Sequence, residues 1–292
     1  MTTTPRVRPA SEAQRAERSD ANHGEPTLDF AAEAPYDAYV HASTLHGLQQ
    51  PISDDPGEMS FLMISQIMEL YFGLICYELR EAARVLDTDD VWGALAPLRR
   101  TALHLTGLNA AWLGMRWMTP ADFNRFRDQL GDASGFQSAT YRRMEFLLGI
   151  KSPTVIRPFR RQGRIYTELV AALRAPSLYD AVLALLHRRD PGVPSAVLAR
   201  DPTAEPEIDP DVEAAWVRVY ADPRPDHDLY TLGEALVDIA EEFGDWRYKH
   251  LRAVARTMGA KPGSGGSSGM AWLQRSMAKL VFPELWSART FM

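Results

Sequence analysis

The chain has 292 residues, of which 46% are hydrophobic and 24% are charged, and this ordinary globular composition excludes disorder of the whole chain. Lys and Arg number 32 against 38 Asp and Glu, and the resulting net charge of -6 argues against a nucleic-acid-binding protein. The single cysteine, Cys76, excludes an internal disulfide framework and a thiolate metal cluster within one chain, so we expect a reducing compartment.

The N-terminal region carries no signal for export. Residues 1–33 contain no basic-then-apolar leader and lack apolar periodicity, which predicts a mobile arm in a cytoplasmic protein. One domain is expected over residues 34–292. Its most apolar run, residues 59–79, is interrupted by Gln66, Glu69 and Glu78, so it predicts a buried helix and no membrane partner.

From Tyr36 onward the apolar spacing is helical almost everywhere, which predicts an all-α helical bundle. The first long helix is expected over residues 58–86, with Ser65 on its apolar side, and a second over residues 91–118. A helix-start signature follows, made by Thr119, Pro120 and Asp122. The short helix that it begins carries Phe123, Phe126 and Arg127 and ends at Gly131.

The second half alternates helices with turns. Residues 134–138 (Ser-Gly-Phe-Gln-Ser) predict a tight turn into a helix over residues 139–148. Helices are then expected over residues 155–174 and 177–188, before a proline-rich connection at 190–210. The last long helix is predicted over residues 229–258 and stops at Gly259. A Gly/Ser loop at 263–269 precedes a final helix containing Trp272, Leu273, Met277 and Leu280.

His250 continues the apolar stripe of the last long helix, four residues after Trp246, so its imidazole is expected to point into the core. Two interpretations stay open. The first is a buried histidine that is hydrogen-bonded to a neighbour. The second is the axial ligand of a haem iron, which requires one neutral imidazole in an apolar wall. No second histidine at zinc-type spacing supports a zinc site.

Two polar features also have alternative interpretations. The Gly/Ser loop is either a flexible linker or a cap whose amides and hydroxyls, Ser264 among them, close over a polar small molecule. Arg127 is either a surface charge or a clamp, because the guanidinium fork matches a carboxylate. Spacing alone does not decide between these alternatives.

Five segments, in their order and spacing, resemble the tryptophan 2,3-dioxygenase family. They are Glu58-Met59-Ser60-Phe61 with Gln66 and Glu69, Asp122-Phe123 with Phe126-Arg127, residues 134–138, Trp246-Arg247 with His250, and residues 263–269. The resemblance extends from about Tyr36 to Arg289. It implies an all-α enzyme that encloses haem b and uses O2 to oxidise the C2–C3 bond of the indole of L-tryptophan.

The resemblance also implies roles for single residues. His250 is similar to the proximal haem ligand, and Trp112, Gly135 and Trp246 correspond to positions around the haem. Arg127 matches the clamp on the substrate carboxylate, Ser264 matches a threonine at the amino-acid end of the substrate, and Phe61 and Phe123 match the walls around the indole. Tyr36 and Tyr39 match tyrosines that reach into a neighbouring subunit, which implies a homotetramer with exchanged N-terminal segments.

The chain departs from the family pattern in the region of the indole. Ser65 stands in place of a distal histidine, and Pro56-Gly57 stands in place of the usual His-Asp. A hydroxyl enlarges the pocket and removes a possible proton partner, so a substituted tryptophan, for example one that is β-methylated, is expected to fit. We therefore favour a natural-product monooxygenase that gives a 2-oxindole, with no general base required from Ser65.

Three alternatives remain open at this point. A conventional tryptophan 2,3-dioxygenase would open the ring and give N-formylkynurenine, with Ser65 as a tolerated substitution. A non-catalytic sensor would bind haem or indole without turnover, although it would have little reason to keep both Arg127 and the Gly/Ser loop. A helical scaffold for protein partners would bind no haem at all.

Overall fold

The computed structural model describes residue 7 and residues 9–30 and 34–292, and the regular structure within those residues is entirely helical. The prediction of an all-α fold is therefore confirmed. The chain forms two compact units, Met1–Pro51 and Ile52–Met292.

The described residues of the first unit form three helices: α1 (Glu12–Ala21), α2 (Pro35–Val40) and α3 (Ala42–His46). Ser11 and Gln14 cap α1 reciprocally, and α1 buries no residue of its own. A helix thus forms within the stretch expected to be an arm, because local capping stabilises it without a packed face. Residues 1–6, 8 and 31–33 of that arm lie outside the described residues, and its boundary at residue 33 stays a prediction.

The second unit contains ten α-helices. They are α4 (Pro56–Leu86), α5 (Val91–Ala111), α6 (Pro120–Phe126), α7 (Ala139–Leu147), α8 (Gly163–Arg174), α9 (Leu178–Arg189), α10 (Pro210–Tyr220), α11 (Asp228–Thr257), α12 (Met270–Met277) and α13 (Pro283–Ala288). α4 packs mainly against α5, and α5 packs against α11 on its other side. These three long helices form the centre of the unit, and α7 and α9 pack onto α4.

The main core lies where the apolar stripes of the long helices meet. Ile75 and Leu79 of α4, Leu105 of α5, and Ile239 and Phe243 of α11 are fully buried there. Each stripe recurs at three- or four-residue intervals, which places its members on one side of a helix. Burying each of these side chains stabilises the fold by about 1.5–3 kcal/mol.

Short polar sequences set where the helices begin. Asp55 accepts a hydrogen bond from the amide of Gly57 at 2.8 Å and caps α4. Thr119 and Asp122 form a capping box with Pro120 as the first residue of α6, so that predicted start signature is confirmed. Gly259 follows α11 with a φ of +59°, which confirms the predicted helix stop.

Four predicted boundaries were wrong. The helix expected over residues 155–174 is a 3-10 turn (Arg157–Phe159) followed by α8, because Pro158 and Gly163, with its positive φ, interrupt the α-helical path. The helix expected to reach residue 118 ends at Ala111 and tightens into a 3-10 turn, Trp112–Met115. α6 ends at Phe126 and not at Gly131, and α12 ends before Leu280. Two further helices, α10 and α13, both begin at proline and were not predicted.

Two segments, Pro56–Leu86 and Gly163–Arg189, are long and apolar enough to span a membrane by length and composition alone. Core helices of soluble proteins pass the same test. The first segment is α4, which buries one side in the core and leaves Ile67, Leu70 and Tyr77 exposed on the other.

Candidate functional site

His250 lies in an aromatic layer contributed by two helical elements. The ring of Trp112, from the 3-10 turn after α5, stacks on the imidazole with 5.3 Å between centroids and 18° between planes. Trp246, one turn earlier on α11, contacts the same imidazole at 5.5 Å. His250 is half-buried, so these rings hold the imidazole and leave part of it accessible.

The surroundings keep this imidazole neutral. Burial, and after it the positive charge of Arg142, lowers the pKa of His250 to about 4. At neutral pH the imidazole therefore carries a free lone pair, and a neutral imidazole is the form that binds a metal.

Two buried donors near His250 have no partner. The indole Nε1 atoms of Trp112 and Trp246 are both inaccessible and make no hydrogen bond. Buried N–H groups are normally satisfied, so an unpaired pair beside one neutral imidazole indicates a missing ligand. Among the described residues no group of three or more His, Cys, Asp or Glu could hold a metal ion.

A buried cluster of aromatic rings adjoins this layer. Phe61 of α4 lies 5.9 Å from Phe123 and 5.5 Å from Phe126, and these last two rings meet edge to face. Trp112 packs against this cluster and also against the main core, so it joins the cluster to the His250 layer. The structure thus brings Phe61 and Phe123 together, and their role as walls around an indole stays a prediction.

Sequence reasoning missed one member of that cluster. Phe126 was assigned to the short helix but not to the indole walls, yet it is fully buried at the centre of the cluster. Its position three residues after Phe123 was the available signal, because residues at that spacing share a helix face.

The two departures from the family pattern lie on the first half of α4. The Ser65 hydroxyl donates to the carbonyl of Phe61 at 2.7 Å, so its proton is engaged within its own helix while its lone pairs stay available. The ring of Trp117 lies 2.6 Å from where a Cβ at Gly57 would stand. A larger residue at position 57 would displace Trp117.

Arg127 and Ser264 both contact the backbone around the Gly/Ser loop. Arg127 donates to the carbonyl of Pro262 at 2.7 Å, and Ser264 donates to the carbonyl of Ala133 at 2.7 Å. A Cβ at Gly265 would lie 3.0 Å from the Cβ of Ser134, so the loop approaches the 134–138 turn closely. These contacts favour the cap interpretation of the loop over that of a linker.

The remaining predicted site residues are Gly135 of the second unit and Tyr36 and Tyr39 of the first. Gly135 is exposed, and no atom lies within 4 Å of the position that a Cβ would occupy there. The next residue, Phe136, packs edge to face on Trp272 of α12 at 5.3 Å. Tyr36 and Tyr39 belong to α2 of the first unit and are 71% and 77% exposed, and their contribution to a site stays a prediction.

Comparison with known proteins gives a consistent result over nearly the whole chain. The family model described as tryptophan 2,3-dioxygenase matches residues 21–292. A tryptophan 2,3-dioxygenase of Paraburkholderia phytofirmans is 38% identical over 95% of this chain and 90% of its own length. Another, from Exiguobacterium sibiricum, is 38% identical over 94% of this chain and 99% of its own length.

Proposed function

The chain belongs to the tryptophan 2,3-dioxygenase family and is an oxidoreductase, and from this we propose that it is a haem-dependent oxygenase of an L-tryptophan-type substrate. The observation that carries the proposal is the half-buried, neutral His250 between two tryptophan rings whose Nε1 atoms lack partners. That arrangement supplies an axial ligand and two donors for a large bound group, and it adjoins an aromatic cluster.

The residues present fit haem b. His250 would ligate the iron, and the unpaired indole N–H groups of Trp112 and Trp246 are donors that a group with acidic side arms can satisfy. Gly135 is exposed, with no atom within 4 Å of its Cβ position, and its contribution to the haem site stays a prediction. Haem, when bound, supplies the activation of O2, and the protein supplies position and exclusion of water.

The amino-acid end of the substrate is assigned to Arg127 and Ser264. The guanidinium of Arg127 is half-buried, and its hydrogen bond to Pro262 points it towards the start of the Gly/Ser loop. A carboxylate bound by this fork would gain charge-assisted hydrogen bonds. Ser264 holds the loop against Ala133 and presents its oxygen on the same side of the chain.

The indole is assigned to a place beside the ring cluster of Phe61, Phe123 and Phe126, whose faces and edges can contact an aromatic substrate. Ser65 follows Phe61 by one helical turn and donates its own proton to the Phe61 carbonyl. The Ser65 oxygen can then accept a hydrogen bond from the indole N–H, while the hydroxyl proton stays bonded to the Phe61 carbonyl. Ser65 is thus a pocket residue that orients the substrate and does not act as a base.

We further propose that the reaction inserts one oxygen atom of O2 and gives a 2-oxindole, with a substituted tryptophan such as the β-methyl derivative as substrate. An external two-electron reductant is then required, which converts the second oxygen atom to water. Ser65 is smaller than an imidazole, which leaves room beside the substrate. Its engaged proton also cannot assist the second oxygen transfer that ring opening requires. Conventional ring opening to N-formylkynurenine is the second candidate, supported by the names of the relatives at 38% identity.

Two wider expectations follow from the same premise. We propose a cytoplasmic homotetramer in which the N-terminal segment carrying Tyr36 and Tyr39 completes the site of a neighbouring subunit. The 71% and 77% exposure of these tyrosines within their own unit supports this, since their rings are free to be covered.

Mass spectrometry of the product tests the chemistry. The reduced, haem-loaded protein would be incubated with 18O2, an excess of a chemical reductant such as ascorbate, and either L-tryptophan or its β-methyl derivative. A gain of one labelled oxygen supports the monooxygenase, and a gain of two supports the ring-opening dioxygenase. Haem binding without product from either substrate would move the assignment to a sensor, and the absence of a Soret band would refute the haem proposal.

A further inference from the structure

We propose that the buried ion pair of Arg142 and Glu145 is a positioning element for the haem site, which sets the electrostatic field behind His250 and thereby the reduction potential of the iron. The inference rests on the proposed function, because it needs His250 to be an iron ligand. Neither residue was predicted as part of the site.

Both members of the pair are buried on α7. Arg142 is 3% exposed and Glu145 is 7% exposed, and the guanidinium Nη1 donates directly to the Glu145 carboxylate. The hydroxyl of Tyr141 is hydrogen-bonded to the same carboxylate. A buried pair of this kind is seldom retained for stability alone, because desolvation offsets most of the attraction between the two charges.

A continuous series of ring contacts connects Arg142 to His250. The guanidinium lies over the ring of Tyr141 at 4.8 Å, that ring lies 5.0 Å from the ring of Trp246, and Trp246 contacts His250 at 5.5 Å. Arg142 is also the charged group whose field acts on His250. The contacts run through buried ring faces, where charges are screened less than in water.

Arg142 also connects this layer to the turn at residues 134–138. Its guanidinium lies over the ring of Phe136 at 4.9 Å, and its Nε donates to the Phe136 carbonyl at 3.4 Å. One side chain thereby links α7, the turn that carries Gly135, and the rings around His250. A rotation of Arg142 would disturb all three.

The second buried arginine of the described residues is oriented differently. Arg247 lies over the ring of Phe243 at 4.7 Å, but its guanidinium donates to the carbonyls of Ser276 and Lys279. Those carbonyls belong to α12 and the segment after it, whereas the guanidinium of Arg142 lies over the rings of Tyr141 and Phe136. Burial and the charge of Arg142 lower the pKa of His250, so we assign the field behind His250 to Arg142 and its partner.

The sign of the effect follows from Coulomb's law. A buried cation near the iron disfavours the ferric state, which carries one more positive charge than the ferrous state, so Arg142 raises the reduction potential. Glu145 acts in the opposite direction and limits this rise. Removing one or the other member should therefore shift the potential in opposite directions.

The experiment is a redox titration of the haem-loaded full chain, followed by its absorption spectrum. Arg142→Met should favour the ferric form on the order of tenfold at a fixed ambient potential, which is about 59 mV for a one-electron couple. Glu145→Gln should shift the ratio towards the ferrous form. Arg142→Lys, which keeps the charge and loses the fork, should stay close to the wild type.

Arg143→Met is the matched control. Arg143 is the next residue of α7 and pairs with Glu168, with 29% of its side chain exposed. Removing it deletes the same charge outside the ring series, so no shift is expected. A shift as large as that of Arg142→Met would show a general charge effect and overturn the proposal.

The remaining outcomes are also decisive. Equal potentials in Arg142→Met, Glu145→Gln and wild type would overturn the proposal, as would shifts of both variants in one direction, which loosened packing produces. If Arg142→Met fails to fold, Glu145→Gln against Arg142→Lys decides the sign. A wild type without a Soret band would instead refute the proposed function, and with it this inference.

Discussion

His250 is held by ring contacts from Trp112 and Trp246, whereas Arg127 is held by a hydrogen bond to the carbonyl of Pro262. We name the first group of three residues the histidine side of the site. The loop side consists of Arg127, Ser264 and the rest of residues 263–269. The histidine side lies on the long helix α11 and on the turn that follows the long helix α5. The loop side consists of a residue at the end of the short helix α6 and of the glycine-rich loop.

The two sides therefore differ in how readily they can move. Ring packing against a close-packed core fixes a side chain through many contacts. A bond to a loop carbonyl is a single contact that a ligand can replace, and loops open at lower free energy than core helices do. The histidine side suits a permanently bound group, and the loop side suits a substrate that enters and leaves at each turnover.

The largest effect is expected on the histidine side. His250→Ala removes the proposed iron ligand, and haem affinity should fall by at least about 100-fold, since loss of supporting groups alone costs 10–100-fold. The measurement is the Soret absorbance after reconstitution and gel filtration. His104→Ala, on a half-buried residue of α5 outside both sides, should bind haem normally. Normal turnover by His250→Ala would remove this residue from the ligand role.

Arg127→Ala should weaken substrate binding on the loop side and leave haem binding on the histidine side unchanged. Loss of a charge-assisted contact of about 1.5–3 kcal/mol should weaken L-tryptophan binding by roughly 10–100-fold, while haem binding and indole binding stay within about twofold. Equilibrium titrations of the haem-loaded protein with both ligands measure the difference. Arg125→Ala is the control, because Arg125 lies on the same short helix and pairs only loosely with Asp55 and Asp122 at 3.7 Å. Equal losses for tryptophan and indole would contradict the clamp.

Two glycines offer a matched test of the difference in rigidity. A Cβ at Gly265 would lie 3.0 Å from the Cβ of Ser134, so Gly265→Ala should push the loop away and raise KM several-fold with little change in Tm. Gly244 on α11 has no atom within 4 Å of its Cβ position. Gly244→Ala should raise stability by about 0.5–1 kcal/mol, because alanine is the better helix former, and leave KM unchanged.

The reverse pattern for these two variants would break the comparison. A higher KM in Gly244→Ala would mean that α11 must flex for the substrate to bind. An unchanged KM in Gly265→Ala would mean that the loop does not close on the substrate. Thermal unfolding and steady-state kinetics on the same preparations distinguish these results.

The histidine side was also the easier one to predict. Phe243, Trp246 and His250 recur at the spacing of one helix face, and residues on such a face point to the same core. Periodicity could not predict the stacking of Trp112, because Trp112 belongs to a 3-10 turn where the α-helical repeat has ended. Arg142 was missed for a similar reason, since a charged residue on a helix predicts exposure unless its partner is known.

The sequence identified the residues of the loop side but did not predict their conformation or their contacts. The composition of residues 263–269 did not predict the conformation of the loop, because glycine permits many backbone conformations. Arg127 and Ser264 donate to the backbone carbonyls of Pro262 and Ala133. The pattern of side chains in a sequence does not predict which backbone carbonyl will accept such a bond. Family resemblance assigned Ser264 to the substrate, and the structure adds its bond to Ala133.

The smallest expected effect concerns that bond. Ser264 donates to Ala133 at 2.7 Å, and a net contribution of about 0.5–1.5 kcal/mol per hydrogen bond predicts a roughly 2–10-fold rise in KM for Ser264→Ala. Ser264→Thr keeps the hydroxyl and should stay within about twofold of the wild type, as should Ser268→Ala on an exposed residue of the same loop. If Ser264→Thr is as impaired as Ser264→Ala, the loop is limited by space and not by this bond. In that case the loop side would resemble the histidine side, with packing rather than a replaceable contact holding it in place.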